Sequence, residues 1–577
     1  MKHLISVPPN VISHFHNIAG VSKEDWFVSA DPQEKKAGSG GGTSWLLSEM
    51  WGQNPDLPFS EWLKQEKRMI IHAGGQGRRL PAYAPLGKSL MPVPVFRWSR
   101  GQNLNQRLIN LQVPLFERIL DKAPSHLNTL IASGDTLIFA ADGLPPIPDA
   151  DIVCFGLWLE PEKATRHGVF FARRESPGHL EFMLQKPSID TIRKHISDSL
   201  FLMDIGIWLL SPRATELLMR KSGWQGAAYR EQLPDEYDMY SSFGAAMGAN
   251  PSQKDPEINA LKVALVNPAG GEFYHFGNTS ELTSSTMAVQ NRINDQRVLW
   301  HHEIKPHPSI FVLNTDTHIQ WKKDHRHIWI ENACVPSSWS LSHNHAITGI
   351  PENLWDLTLE KGNCLDMVPS HDGGWIIRNY GFYDDFRGRL DDPQTRFMDQ
   401  PLEQWLAKRR LSGAFGHLPG NTDIHSLPLF PLLSGEELNG NFVQWLLLET
   451  PTSQPEFTRL WLNSPRLSAA AISEKGDITA AEKQRLAYLV KDLPLLAENH
   501  QRSVFYQLDL QQLAGDYVKH QLPLPPPLPE NTRGWIPIHD HMFRARMLRD
   551  KGLDGTDHEQ KAFAALREQV LDVLLRQ

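Results

Sequence analysis

The segment Met69-Ile70-Ile71-His72-Ala73-Gly74-Gly75-Gln76-Gly77-Arg78-Arg79-Leu80-Pro81, with Gly87-Lys88-Ser89 just after it, constrains this chain more than any other. Its short, apolar, β-branched start reads as a buried strand, and the glycines as the turn that leaves it. Glycine suits such a turn because a side chain would keep the backbone N–H groups away from a bound phosphate. Arg78, Arg79 and Lys88 then bring fixed positive charge to the same place. Together these features suit a triphosphate whose charge must be held and partly neutralised during reaction. A Gly-Gly-x-Gly turn alone also serves as a plain structural turn; the Arg pair and the Lys tip the reading toward phosphate.

A second glycine cluster, Gly38-Ser39-Gly40-Gly41-Gly42-Thr43, stands between an expected strand, Trp26-Phe27-Val28, and an expected helix over Thr43 to Trp51. A glycine loop feeding a helix N-terminus offers free N–H groups and the positive end of the helix dipole to an anion. Gly40, Gly41 and Gly42 are therefore candidate nucleotide contacts, with a flexible surface loop as the alternative.

Composition removes several function classes. The net charge of -8 argues against an extended nucleic-acid surface, because a phosphate backbone demands a clustered positive field. The three cysteines, Cys154, Cys334 and Cys364, are too far apart for a disulfide framework or a zinc signature. His301-His302, His325-Arg326-His327 and His343-Asn344-His345 share no ligand spacing. The first residues lack a secretory apolar core and no run approaches membrane-spanning length, so a cytoplasmic enzyme with no membrane or nucleic-acid partner is expected.

A length of 577 residues implies about three domains. After the glycine–arginine segment the pattern alternates in the α/β manner. A helix is expected from Leu104 to Ala123 and strands near Leu127–Ala132, Ile152–Trp158, Arg166–Phe171, Phe182–Pro187 and Leu200–Leu210. This predicts a Rossmann-like α/β domain, residues 1–300, with a mostly parallel sheet and ligands at the carboxyl ends of its strands. Short strands without helices then predict a small β-solenoid-like domain over 301–395, and helix signals a helical C-terminal region over 396–577. The proline run from Leu522 to Pro529 reads as a stiff spacer.

These motifs resemble the sugar-phosphate nucleotidyltransferases, whose signature is roughly LAGGxGTRLxxxTxxxPKxxxP. His72 to Leu80, then Lys88 and Pro92, occupy it here. The chain is more similar still to the fucose-1-phosphate guanylyltransferase half of bifunctional fucokinase/GDP-fucose pyrophosphorylases. That branch reads GSGGGT, HAGGQSRRLPxYAPSGK, LMDIGIWLLS and GGEFYHFG, matched in order by Gly38 to Thr43, His72 to Lys88, Leu202 to Ser211 and Gly270 to Gly277. The likeness continues through Ser503 to Leu510 and the C-terminal helices, so it covers nearly the whole chain.

The resemblance implies conversion of GTP and L-fucose 1-phosphate to GDP-L-fucose and pyrophosphate, with Mg²⁺ as cofactor. It implies that Gly74, Gly75, Gly77 and Arg79 hold the nucleotide, with Arg79 on the triphosphate and Lys88 stabilising charge at the α-phosphorus. Asp135 matches the metal-holding Asp of the superfamily. Lys186 matches a Lys that contacts the sugar phosphate, and Gly168 and Asp204 match positions lining the sugar. Three departures stand out: Arg78 in place of Thr, Leu86 in place of a Ser, and His275 where the superfamily has its second metal Asp. No kinase phosphate loop of the PxxxGxGSSA kind is present, so the resemblance implies either a stand-alone transferase or part of a fusion with fucokinase; oligomerisation stays open. The rivals are a guanylyltransferase for another sugar 1-phosphate and a non-catalytic nucleotide-sugar sensor or scaffold.

Overall fold

The computed structural model describes residues 1–32, 35–94, 106–140, 143–293, 306–502, 510–524 and 535–575. The start of the helix expected from Leu104, His301-His302, the stretch 503–509 and the proline run from Pro525 lie outside them. The chain divides into two compact units, one of residues 1–77, 83–91 and 107–277, the other of 78–82, 92–106 and 278–577.

The first unit is built on a mixed sheet. Strands β1 (Lys2–Ser6), β2 (Trp26–Ser29), β3 (Arg68–His72), β4 (Thr129–Ser133), β5 (Thr136–Ala140), β6 (Ile152–Leu157), β7 (Gly168–Arg173), β8 (Phe182–Gln185), β9 (Ser199–Leu210), β10 (Val263–Val266) and β11 (Gly271–His275) follow one another along the chain. The main sheet runs β10-β6-β9-β4-β3-β1-β2, with β7 attached to β9 and β8 to β7, while β5 and β11 form a separate antiparallel pair. β2, β1, β3 and β4 are mutually parallel, as are β10 and β6. β9, which carries the LMDIGIWLLS motif, is antiparallel to both β4 and β6. The sheet is therefore parallel over β2-β1-β3-β4 and over β6-β10, with β9 antiparallel between them.

Met69, Ile70 and Ile71 of β3 are fully buried, and a strand covered on both faces reads as an unbroken apolar run. Each such side chain contributes about 1.5–3 kcal/mol through burial. β3 thus pins the glycine turn to the middle of the parallel edge.

Local structure corrects the sequence reading at the first glycine cluster. The helix starts at Gly38 and runs Gly38–Gly52, so Gly40, Gly41 and Gly42 lie within it and are buried. The N–H groups of Gly40 and Gly41 both donate to the Tyr237 carbonyl, at 2.9 and 3.1 Å. A Cβ on Gly41 would come within 2.8 Å of the Asp235 carbonyl oxygen. The glycines allow close approach of the 235–237 backbone, and the expected open anion loop is absent from this stretch.

In the second unit β12 (Ile310–Thr317) and β13 (Ile328–Val335) begin a parallel stack continued by His345–Thr348 and Asn363–Pro369. Ile310 pairs with Ile328, Ile328 with His345, and Ile347 with Leu365. The sheet then turns antiparallel through Trp375–Gly381, Phe430–Leu433 and Arg466–Leu467. It thus passes the expected boundary at 396: Phe430-Pro431-Leu432-Leu433 lies among helix signals and shows no alternation to betray a strand. The long helix Ile478–Arg502 and the helices Leu510–Lys519, Trp535–Asp550 and Thr556–Leu575 follow.

Candidate active site

The turn after β3 places Gly74, Gly75 and Gly77 beyond the carboxyl ends of the parallel strands. Gly77 has φ +59°, and a Cβ there would lie 2.5 Å from that of Ala84, so only glycine fits. Lys88 follows in the short turn Lys88–Leu90. Beside it Ser89 Oγ donates to the Gly134 carbonyl at 2.8 Å, and the Gly134 N–H donates to the His72 carbonyl at 2.9 Å. These bonds lock the end of β4 to the end of β3 and set Asp135 opposite Lys88.

The centre of the site is that pair. Lys88 Nζ donates to Asp135 Oδ2 at 2.9 Å and to the Gly277 carbonyl at 3.3 Å. Ser133 Oγ donates to Asp135 Oδ1 at 2.8 Å, and His275 Nε2 lies 3.5 Å from Oδ2. Burial alone would raise the Asp135 pKa, but Lys88 and His275 outweigh it and hold the carboxyl well below the usual range. The carboxylate is thus ionised and matched against a half-buried lysine, an arrangement suited to exchanging partners when an anion or a cation arrives.

His275 ends β11, and its imidazole fills the space a side chain on residue 277 would need: a Cβ on Gly277 would come within 2.0 Å of His275 Cε1. The His167 ring packs edge-on to that of His275 at 5.5 Å, and the His167 carbonyl accepts the Lys186 N–H at 2.9 Å. Lys186 itself is exposed, with φ +48°. Gly168 and Asp204 meet, since a Cβ on Gly168 would stand 3.2 Å from Asp204 Cβ. Asp204 is 4% exposed and burial pushes its pKa up to about 7, against the Gly206 N–H and the Trp208 indole N–H that donate to it. The sheet therefore gathers Lys88, Asp135 and His275 in one cluster and Gly168 with Asp204 in another, with His167 between Lys186 and His275.

The arginines separate. Arg78 Nη1 donates to both Asp423 oxygens at 2.8 Å and to the Phe386 carbonyl at 3.1 Å, all within the second unit. The expectation that Arg78 holds nucleotide is corrected: its guanidinium is engaged in an ion pair that anchors its own segment. Arg79, next in the chain, has its carbonyl bound by the Thr279 N–H at 2.9 Å. Sequence reasoning missed Ser89, Ser133, Gly134 and His167, which orient the pair and its surroundings; only the adjacency of Ser133 and Gly134 to Asp135 signalled two of them.

The fucose pyrophosphorylase domain model matches residues 60–434, well over half the chain and the whole span from the glycine turn through Asp423. The chain belongs to the fucose pyrophosphorylase domain family. This family member is 45% identical, over 574 residues, to a Bacteroides fragilis protein named L-fucokinase/L-fucose-1-P guanylyltransferase, covering 99% of this chain and 60% of that one. It is 23% identical over 509 residues to the Arabidopsis thaliana bifunctional fucokinase/GDP-fucose pyrophosphorylase, covering 76% of this chain and 46% of that one. The chain thus spans less than two thirds of the length of these relatives. Among solved structures it is similar to a Thermus thermophilus protein titled mannose-1-phosphate geranyltransferase, at 13% identity and a TM-score of 0.26, covering 66% of this chain and 95% of that one.

Proposed function

We propose that this fucose pyrophosphorylase-family chain is a guanylyltransferase that converts GTP and L-fucose 1-phosphate to GDP-L-fucose and pyrophosphate. The observation that carries the reading is the half-buried Lys88–Asp135 pair beside the glycine turn after β3. The names of the Bacteroides fragilis and Arabidopsis thaliana relatives support the choice of sugar and base.

A sugar-phosphate oxygen attacks the α-phosphorus of GTP in line; the new P–O bond forms as the bond to the β-phosphate oxygen breaks, and pyrophosphate leaves. No enzyme-bound intermediate and no general base are needed, because the sugar phosphate is already an anion near neutral pH. Lys88 supplies positive charge where negative charge develops, at no cost of reorganisation because Asp135 and the Gly277 carbonyl already orient it. Arg79 holds the triphosphate, Gly74, Gly75 and Gly77 hold the nucleotide through backbone N–H groups, and Lys186, Gly168 and Asp204 take the sugar phosphate.

The donor set also bears on magnesium. Asp135 offers one ionised carboxylate, oriented by Ser133, and Mg²⁺ characteristically takes one or two carboxylates together with phosphate oxygens and water. The residues present fit such an ion held by Asp135, which when bound would neutralise triphosphate charge; no group of three or more metal-ligating side chains occurs among the described residues.

In this reading residues 1–300 carry the chemistry, and the β-solenoid-like region expected over 301–395 continues past 396 through Phe430–Leu433 and Arg466–Leu467 before the largely helical remainder. A fucokinase, fused or separate, supplies the sugar phosphate, and the enzyme works in the cytoplasm. No helix among the described residues is long and apolar enough to cross a membrane.

The test is pyrophosphate release from a matrix of nucleoside triphosphates and sugar 1-phosphates with Mg²⁺. GTP with fucose 1-phosphate is expected to turn over best; equal or better turnover with mannose 1-phosphate refutes the fucose assignment.

A further inference from the structure

A nucleotide enzyme must read its base as well as hold its phosphates, and the ends of β1 and β2 carry a group suited to that. β2, β1, β3 and β4 lie side by side and parallel, so their carboxyl ends share one edge of the sheet. Along that edge come Asp31, two residues past β2; Ser6, the last residue of β1; the glycine turn after β3; and Asp135 with Lys88 beyond β4. A nucleotide whose phosphates lie at Lys88 and the Gly75–Gly77 part of the turn can reach Gly74 and the ends of β1 and β2 with its base.

Asp31 is exposed, and Ser6 Oγ donates to its Oδ1 at 2.7 Å, which fixes the carboxylate's orientation. Gly42 leaves room beside it, and Gly74 flanks it. A Cβ on Gly42 would lie 3.2 Å from Oδ1, and one on Gly74 would lie 3.5 Å from Oδ2. Oδ2 has no hydrogen-bond partner among the described residues. The neighbouring His72 is tied to Thr43 Oγ1 at 2.8 Å, and burial pushes its pKa down although Asp31 draws it up.

An ionised carboxylate only accepts hydrogen bonds, and it would repel a triphosphate. Its place is at the base, and the base it fits has two adjacent donors. Guanine offers these as N1–H and the 2-amino group. Adenine and cytosine set a donor beside an acceptor, and uracil flanks its one N–H with two carbonyls. We propose that Asp31 is the specificity residue that reads the guanine N1–H and 2-amino group. This rests on the guanylyltransferase reading for its reaction but makes its own claim about the base.

The full-length chain tests it with GTP, inosine triphosphate and xanthosine triphosphate, scored both as dissociation constants and as kcat/KM. The wild type is expected to bind inosine triphosphate, which lacks the 2-amino group, about 10-fold more weakly than GTP. Asp31→Asn is expected to weaken GTP by about 10²-fold and to invert the preference toward xanthosine triphosphate, whose 2-carbonyl accepts from the new amide. A merely structural role for Asp31 would not produce that inversion. The proposal is overturned if the wild type binds inosine triphosphate as well as GTP, or if folded Asp31→Asn keeps the wild-type preference. Should the variant fail to fold, the wild-type comparison decides. Because binding is read separately, lack of turnover with fucose 1-phosphate would sink the proposed reaction while leaving this claim to stand or fall on the dissociation constants.

Discussion

Lys88 Nζ sits 2.9 Å from Asp135 Oδ2, with the two side chains only 19% and 20% exposed, although they are 47 residues apart in sequence. Removing one partner of such a pair strands the other in a poorly solvated place, so each half is costly to lose for a different reason. On the proposed reading Lys88 faces charge that grows during reaction, whereas Asp135 sets where Lys88 stands.

Lys88→Ala is expected to lower kcat by ~10²-fold or more while changing GTP affinity much less. Steady-state kinetics paired with equilibrium nucleotide binding checks this. An unchanged kcat would mean that the signature lysine has been assigned to the wrong loop.

The metal prediction separates Asp135 from His275. A neutral imidazole is a poor partner for a hard cation, so Asp135→Asn should abolish Mg²⁺-dependent turnover while His275→Asn keeps substantial activity. Gly277→Ala, whose Cβ would displace the His275 ring, should resemble His275→Asn. Mg²⁺ titrations of turnover for the three variants decide it; equal damage from His275→Asn and Asp135→Asn would make the imidazole part of the metal site.

Arg78→Met is expected to leave the KM for GTP within about threefold of wild type and to cost about 1 kcal/mol of stability. The Asp423 half of the ion pair is 42% exposed, which keeps the loss small. Chemical denaturation of Arg78→Met, Asp423→Asn and the double variant should show coupling between the two. Independent effects would mean the contact contributes nothing.

Asp204 gives the pH prediction. Its pKa rises from 3.8 to about 7 on burial, so the folded state holds a proton there that the unfolded state gives up. Its contribution to stability is therefore full below pH ~4 and is lost as pH rises through about 7. Tyr240 and Cys154 lie in its field and stay neutral across that window, since burial, reinforced by Asp204, raises both. Asp204→Asn should thus gain stability relative to wild type between pH 4 and 8, by ~4 kcal/mol. Thermal or urea unfolding across that range measures it, and a constant difference between the two proteins would show that Asp204 does not titrate there.

Much of this protein was legible in the chain by itself. Met69-Ile70-Ile71 reads as a buried strand because full burial demands apolar side chains on both faces, and Gly77 marks a turn because a Cβ would strike Ala84. The family resemblance put Lys88 and Asp135 in one expected site, and the fold sets them 2.9 Å apart. Such features are local, or are written in residue types that only one environment tolerates.

What tertiary structure alone decided was the partner of each polar group. Gly38 to Gly42 looks like an open anion loop until the Tyr237 carbonyl, far along the chain, takes the N–H groups of Gly40 and Gly41 and the helix begins early. Arg78 and Arg79 are chemically alike in sequence, yet Arg78 is claimed by Asp423, 345 residues away. A hydrogen bond or an ion pair is settled by which donor and acceptor the topology brings within about 3 Å, and no local pattern encodes that distance.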